Sequence, residues 1–154
     1  MSYTLVLANE PGSGRRNVLF VEAHASALEQ LRQGLEHRQS TWQMQFVVGA
    51  EGALKACASH RYDAVVSVLR MPGMSGIELL KQVKQLYPGV LRVAMAEPAD
   101  DDKLTALPVV HQFLETPCSA RDLESTVDRA LSVRDCLGRG EMRGVVGHLD
   151  SMPS

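Results

Sequence analysis

Residues 63–76 read DAVVSVLRMPGMSG, and this stretch decides the fold of the chain. The short apolar run 64–68 is typical of a strand that is buried on both faces of a sheet. The Met-Pro-Gly sequence at 71–73 predicts a tight turn, because proline presets the backbone and glycine accepts left-handed torsion angles. Ser75 and Glu78 then have the spacing of a capping box, which opens a helix. A buried strand that turns directly into a helix is the building unit of an α/β protein.

The same alternation of strand and helix patterns continues on both sides of this stretch. Apolar runs predict five strands, at residues 18–21, 42–48, 64–68, 90–95 and 109–114. Helical patterns follow them, beginning near Ser26, Ala50, Ser75 and Ser119, with a weaker helix within 97–107. Ser26 and Ser119 are predicted to cap their helices as Ser75 does. Strands that alternate with helices predict a doubly wound parallel sheet, covered by helices on both faces.

Composition indicates one globular domain. The chain has 154 residues, of which 45% are hydrophobic, and its formal net charge is −2. It has no basic face of the kind that binds nucleic acid. Cys57, Cys118 and Cys136 lack the spacing of a metal or redox motif, so we expect reduced thiols. With no apolar run near the ~20 residues that span a bilayer and no signal-peptide pattern, we expect a cytoplasmic protein without a membrane partner.

The chain is predicted to have three parts. An N-terminal extension at 1–16 contains a possible short strand at 4–8, and the α/β domain follows at 17–136. The remaining segment, 137–154, carries a stripe at the spacing of an amphipathic helix, formed by Met142, Val145, Val146 and Leu149. The stripe predicts either a linker or interface element, or a segment that folds back on the domain, and the sequence favours neither.

The segment 63–76 resembles the phosphorylation-site segment of response-regulator receiver (CheY-like) domains. The resemblance extends over about residues 17–134 and includes 18–21, the Tyr62-Asp63 pair, 76–80, and Phe113-Leu114 shortly before Thr116-Pro117. It implies a flavodoxin-like fold whose five parallel strands lie in the order 2-1-3-4-5. It also implies a role in two-component (phosphorelay) signal transduction.

Receivers hold an acidic pocket at the carboxyl ends of their strands, where Mg²⁺ assists phosphoryl transfer to an aspartate. The resemblance places the acidic pair at Glu22 and Ala23, and the acceptor aspartate at Val68. The hydroxyl, lysine and aromatic switch positions fall on Ala96, Thr116 and Phe113 respectively.

Only one carboxylate of this pocket remains in the sequence. Val68 has no nucleophilic oxygen, and Ser67 beside it points to the opposite side of the strand. We therefore expect no bound Mg²⁺, no other cofactor, no catalytic residue and no enzyme activity. The aspartate run at 100–102 is interpreted as a solvated charged face, and a cation-binding cluster is the alternative.

The leading hypothesis is a pseudo-receiver that acts by binding a partner rather than by accepting phosphate. A homodimer or an effector domain is expected to use the face formed by the fourth helix, the fifth strand and the fifth helix. The candidate residues of this interface are Leu104, Leu107, Val110, Leu123, Val127 and Leu131. With Ala96 beneath it, Phe113 is expected to sit inward and lock one conformation.

Three further possibilities stay open at the sequence level. In the first, a receiver uses an unorthodox phosphate acceptor, for which His24 near the pocket mouth is a candidate. In the second, the vacated pocket binds a small ligand. The segment 137–154 also resembles the linker that precedes an HDOD output domain in longer response regulators, so such a domain is a possible partner.

Overall fold

A computed structural model of the protein describes the backbone of Thr4–Val6 and all of residues 15–138. The six strands are β1 (Thr4–Val6), β2 (Arg16–Glu22), β3 (Trp42–Val48), β4 (Ala64–Val68), β5 (Leu91–Ala96) and β6 (Gln112–Glu115). The helices of the described part are α1 (Ala25–Gly34), α2 (Ala50–Ser59), α3 (Gly76–Leu86), α4 (Asp102–Ala106) and α5 (Ala120–Gly138). The stripe predicted at 142–149 lies outside the described residues.

The strands form one sheet in the order β1-β3-β2-β4-β5-β6. Strands β2 to β6 pair in parallel, which confirms the predicted five-stranded flavodoxin-like order. The strand expected within 4–8 is present as β1, and it pairs antiparallel with β3, with Leu5 opposite Phe46. Part of the predicted N-terminal extension therefore completes the sheet as a sixth, edge strand.

Side chains alternate along the buried strands and fill two cores on opposite faces of the sheet. On one face, β-strand residues such as Leu19 and Val65 pack against α2, α3 and α4. On the other face, Val18, Phe20 and Trp42 pack against α1 and α5. The rings of Phe20 and Phe46 stack with centroids 5.2 Å apart. Because both faces are covered, the central strands are apolar at nearly every position, as the sequence pattern predicted.

The predicted helix starts were correct at two of three serines. The hydroxyls of Ser75 and Ser119 accept hydrogen bonds from the backbone N–H of Glu78 (3.2 Å) and Asp122 (3.1 Å). The capping box predicted at Ser26 is wrong, since α1 already begins at Ala25 and no side chain caps it.

The fifth predicted strand is shorter than the apolar run 109–114 suggested. The backbone N–H groups of Val109 and Val110 donate to the carbonyl of Ala106 (2.8 and 3.2 Å), so they continue the turn that ends α4. Both side chains are buried there. Because this turn is buried, its residues are as apolar as those of a buried strand. Pairing with β5 begins only at Gln112.

A charged cluster ties α5 to the turn before β3. The Arg38 guanidinium donates to both carboxylate oxygens of Asp128 (2.9 and 3.0 Å) and to Glu124 (3.2 Å). It also lies 4.1 Å from the centre of the Trp42 ring, whose indole N–H donates to Asp128 (3.2 Å). These contacts hold α5 against the turn before β3 and against Trp42.

The N-terminal ends of β5 and β6 are held by a buried arginine. Arg92 is 4% exposed, and its guanidinium donates to the carbonyls of Val109 (2.6 Å), Val90 (3.0 Å) and Pro88 (3.3 Å). Its backbone N–H donates to Nδ1 of His111 (2.9 Å). Burial and the Arg92 charge lower the pKa of His111 to about 4, so this imidazole is neutral near pH 7.

Among the described residues, no helix is both long and apolar enough to cross a membrane. The three cysteines are free thiols, and burial raises the pKa of Cys57 to about 11.

Candidate functional site

The site lies where the carboxyl ends of four parallel strands meet. Glu22, Val68 and Ala96 are the last residues of β2, β4 and β5, and Thr116 follows β6 immediately before a cis peptide bond to Pro117. Together they surround a cleft of about 340 Å³. Its lining consists of Glu22, Ala23, His24, Val68, Arg70, Met95, Ala96, Glu97, Ala99, Asp100 and Thr116. All five pocket positions carried over by the resemblance therefore share one cleft.

Phe113, the aromatic switch position, is not part of the cleft lining. Its ring is half-buried and packs against the core that β4 and β5 share with α2, α3 and α4. That this contact locks Phe113 in one conformation stays a prediction.

The acceptor position offers no nucleophile to the cleft. Val68 is half-buried and packs against the core beneath α1 and α5. Ser67 is fully buried, and its hydroxyl donates to the carbonyl of Val68 (2.8 Å). Because neighbouring strand residues point to opposite faces, the Ser67 hydroxyl does not replace the missing carboxylate.

Glu22 carries the carboxylate that remains from the acidic pair. The side chain is half-buried, and one of its oxygens accepts the backbone N–H of Ala23 (3.2 Å). Burial raises the pKa of the Glu22 carboxyl, and the hydrogen bond from Ala23 and the nearby His24 oppose this shift only in part. Glu22 also lines a second cleft of about 360 Å³, which extends between α1 and α5.

These residues do not fit the Mg²⁺ ion that receiver domains hold at this place. Mg²⁺ requires nearly octahedral oxygen coordination, in which carboxylates are the usual protein ligands. Ala23 and Val68 supply no side-chain oxygen, and Thr116 cannot supply the positive charge of a lysine. Within residues 15–138, no group of three or more histidine, cysteine, aspartate or glutamate residues is placed to hold a metal ion.

Two charged residues at the mouth of the cleft were not recognised from the sequence. The Arg70 guanidinium donates to both carboxylate oxygens of Asp100, each at 3.1 Å. The Asp100 side chain is only 4% exposed, so the interpretation of 100–102 as a solvated face is wrong for its first residue. The pair is separated by thirty positions, and neither residue belongs to the family's pocket pattern, so no local signal indicated it.

The predicted interface residues fall into two groups. Leu104 on α4 and Leu107 directly after this helix are 76% and 55% exposed. The other four predicted residues are at most 5% exposed, so they are buried in the cores and cannot contact a partner in this conformation. They are Val110, Leu123, Val127 and Leu131. Exposed apolar side chains that the sequence reasoning missed are Leu86, Val133 and Leu137.

A flavodoxin-like sheet with a remnant acidic cleft at its carboxyl edge defines the class of CheY-like signalling domains. The family model for the response regulator receiver domain matches residues 18–128. The chain belongs to this response-regulator receiver family. Domains of the family are generally signalling modules of two-component systems rather than enzymes, and they typically bind Mg²⁺ at the phosphorylation site.

Relatives with this domain are longer proteins. The chain is 37% identical over 91 residues to the DNA-binding transcriptional regulator NtrC of Escherichia coli K12. The matched segment covers 56% of this chain and 19% of NtrC. It is 31% identical over 120 residues to the sensory/regulatory protein RpfC of Xanthomonas campestris pv. campestris, covering 73% of this chain and 16% of RpfC. The chain thus spans less than a fifth of either relative.

Solved structures share the fold. The signal receiver domain of an HD domain-containing protein from Pseudomonas fluorescens Pf-5 matches with a TM-score of 0.74 and 24% identity, covering 88% of this chain and 99% of that one. The chemotaxis response regulator CheY4 of Vibrio cholerae matches with a TM-score of 0.66 and 20% identity, covering 75% and 98%.

Proposed function

We propose that the chain is an atypical receiver module that acts without aspartyl phosphorylation. The observation that carries the proposal is the composition of the cleft, where Val68, Ala23, Ala96 and Thr116 leave Glu22 alone among the family's polar positions. Phosphoryl transfer to an aspartate needs an oxygen nucleophile and neutralisation of phosphate charge. The family's acceptor and lysine positions supply neither, because Val68 has no oxygen and Thr116 has no positive charge, whereas the strands, caps and turn around the cleft are intact.

A phosphorylation assay tests this proposal directly. Incubation of the chain with acetyl phosphate and Mg²⁺ is expected to leave its intact mass unchanged, because Val68 cannot form an acyl phosphate. A receiver domain that carries the acceptor aspartate serves as the positive control for the reaction conditions. A stable increase by one phosphoryl group would overturn the proposal and support an unorthodox acceptor, which peptide mapping would compare with His24.

The module is proposed to act through protein–protein contact at α4. Leu104 on α4 and Leu107 directly after it are largely exposed, and neighbouring exposed apolar side chains are typical of interaction surfaces. The partner is a second copy of the chain or an effector domain in the cytoplasm. An HDOD domain after residue 154 is one such effector. The Pseudomonas fluorescens receiver domain comes from an HD domain-containing protein.

Charged substitutions on α4 test the homodimer form of this proposal. Leu104→Glu combined with Leu107→Glu is expected to convert a dimer to a monomer in light scattering after size-exclusion chromatography. The fold should persist, because both side chains point into solvent. Leu86→Glu, at an exposed leucine at the end of α3, is the matched control and should leave the dimer intact. A wild-type chain that stays monomeric at high micromolar concentration would exclude the homodimer and leave the effector domain.

A further inference from the structure

In the loop between β5 and α4, Asp100 forms hydrogen bonds through both its backbone and its side chain. Its backbone N–H donates to the carbonyl of Glu97 (3.0 Å), and its own carbonyl accepts the N–H of Lys103 (3.3 Å). Its carboxylate accepts the backbone N–H of Asp102 (2.9 Å), which is the first residue of α4. The Asp100 side chain therefore satisfies one of the free amides at the start of this short helix.

The same carboxylate reaches across the mouth of the cleft. Arg70, in the loop between β4 and α3, donates through Nε and Nη2 to the two oxygens of Asp100, each at 3.1 Å. Its Nη2 also lies 3.7 Å from Asp102. A bidentate ion pair of this kind fixes the relative orientation of its partners as well as their distance. It joins the two loops that flank Val68 and Ala96.

We propose that the Arg70–Asp100 pair is a latch that fixes the start of α4 to the β4–α3 loop. In receivers, a phosphoryl group on the acceptor is contacted from the strand that precedes this helix, at the hydroxyl position. Ala96 and Val68 cannot make that link here, and the latch joins the same two loops at the mouth of the cleft. Since Leu104 lies on α4 and Leu107 directly follows it, the latch holds their orientation.

The exposure of the two partners sets the strength of the latch. The Asp100 side chain is 4% exposed, so its charge needs a partner in place of water. Arg70 is 71% exposed, so the pair is screened by solvent and by salt. The latch is therefore a modest and reversible restraint on local opening, sensitive to ionic strength. It goes beyond the proposed function, because it stands whether or not another residue accepts phosphate.

Hydrogen exchange followed by mass spectrometry tests the latch on the full chain. Arg70→Gln is expected to raise the amide exchange rates of residues 100–104 about fivefold at low salt, the effect of a well-formed surface ion pair. Asp100→Asn should act similarly, since asparagine keeps an oxygen for the Asp102 amide but loses the charge. Arg61→Gln is the matched control, because Arg61 is exposed and forms no ion pair with a described residue.

Exchange in the double variant, and the dependence of exchange on salt concentration, distinguish a latch from two independent effects. With a latch, Arg70→Gln combined with Asp100→Asn exchanges no faster than either single variant. High salt should speed exchange in the wild-type chain and have little effect on the variants. Unchanged exchange in Arg70→Gln, or additive effects in the double variant, would overturn the latch. The phosphorylation assay has a separate readout, so either proposal can fail alone.

Discussion

Replacing Gly76 by alanine is expected to destabilise the protein by about 3 kcal/mol or more, because the new methyl group would enter the backbone of β4. A Cβ atom built at Gly76 would lie only 1.9 Å from the carbonyl oxygen of Val68 and 2.8 Å from Cα of Leu69. The N–H of Gly76 also donates to the carbonyl of Leu69 (2.9 Å), which draws the start of α3 against the strand end. Backbone atoms cannot rotate away as a side chain does, so the helix must shift.

Urea unfolding followed by circular dichroism measures this effect, with Gly89→Ala as the matched control. A Cβ atom at Gly89 meets no atom within 4 Å, and its backbone does not need left-handed torsion angles. The control is therefore expected to change the free energy of unfolding by at most about 0.5 kcal/mol. Equal unfolding midpoints for the two variants would show that α3 and β4 are not in the close contact described.

This contact explains why residues 63–76 were so informative and what the sequence could not reveal. The apolar run, the turn and the cap are local patterns, and each predicted its element correctly. The need for glycine at position 76 arises from the approach of two backbones, which no periodicity records. Similarly, the pairing of β1 with β3 joins residues about forty positions apart, so the sequence predicted the strand but not its place in the sheet.

Five positions of the cleft could be predicted one by one from the family resemblance. They lie at or just after strand ends, and parallel strands bring their carboxyl ends to one edge. The interface could not be predicted in the same way. Leu123, Val127 and Leu131 form a stripe on α5, but a stripe does not show whether it faces the sheet or a partner. All three side chains are buried in the core, so this stripe faces the sheet.

Restoring a carboxylate at the acceptor position is expected to lower stability in metal-free buffer. Val68→Asp should reduce the free energy of unfolding by about 1–3 kcal/mol at neutral pH. The substitution removes apolar contact with the core beneath α1 and α5 and places a second carboxylate beside Glu22. Glu22 is already half-buried with a raised pKa, so the cleft solvates negative charge poorly.

The pH dependence of Val68→Asp separates charge from lost packing. Burial and Glu22 raise the pKa of the introduced carboxyl above its unfolded value, so the folded state binds a proton more tightly than the unfolded chain. The charge-dependent loss is therefore full above the folded pKa and is relieved as the pH falls through it. Val68→Asn has nearly the same shape without the charge and should show only the pH-independent loss. A Val68→Asp variant as stable as the wild-type chain, or more stable, would contradict the expected repulsion.

Addition of Mg²⁺ should reverse the loss only when the acidic pair is restored as well. Val68→Asp combined with Ala23→Asp restores, with Glu22, the three carboxylates of the family's acidic pocket positions. This variant should be the least stable in the presence of a chelator and should gain the most from millimolar Mg²⁺, because an ion that binds the folded state alone stabilises it. The wild-type chain, in which Glu22 is the only carboxylate at these three positions, should show no shift in its unfolding midpoint. A similar Mg²⁺-dependent shift in the wild-type chain would mean that the cleft holds the ion without the lost carboxylates, and the proposed loss of phosphoryl chemistry would have to be re-examined.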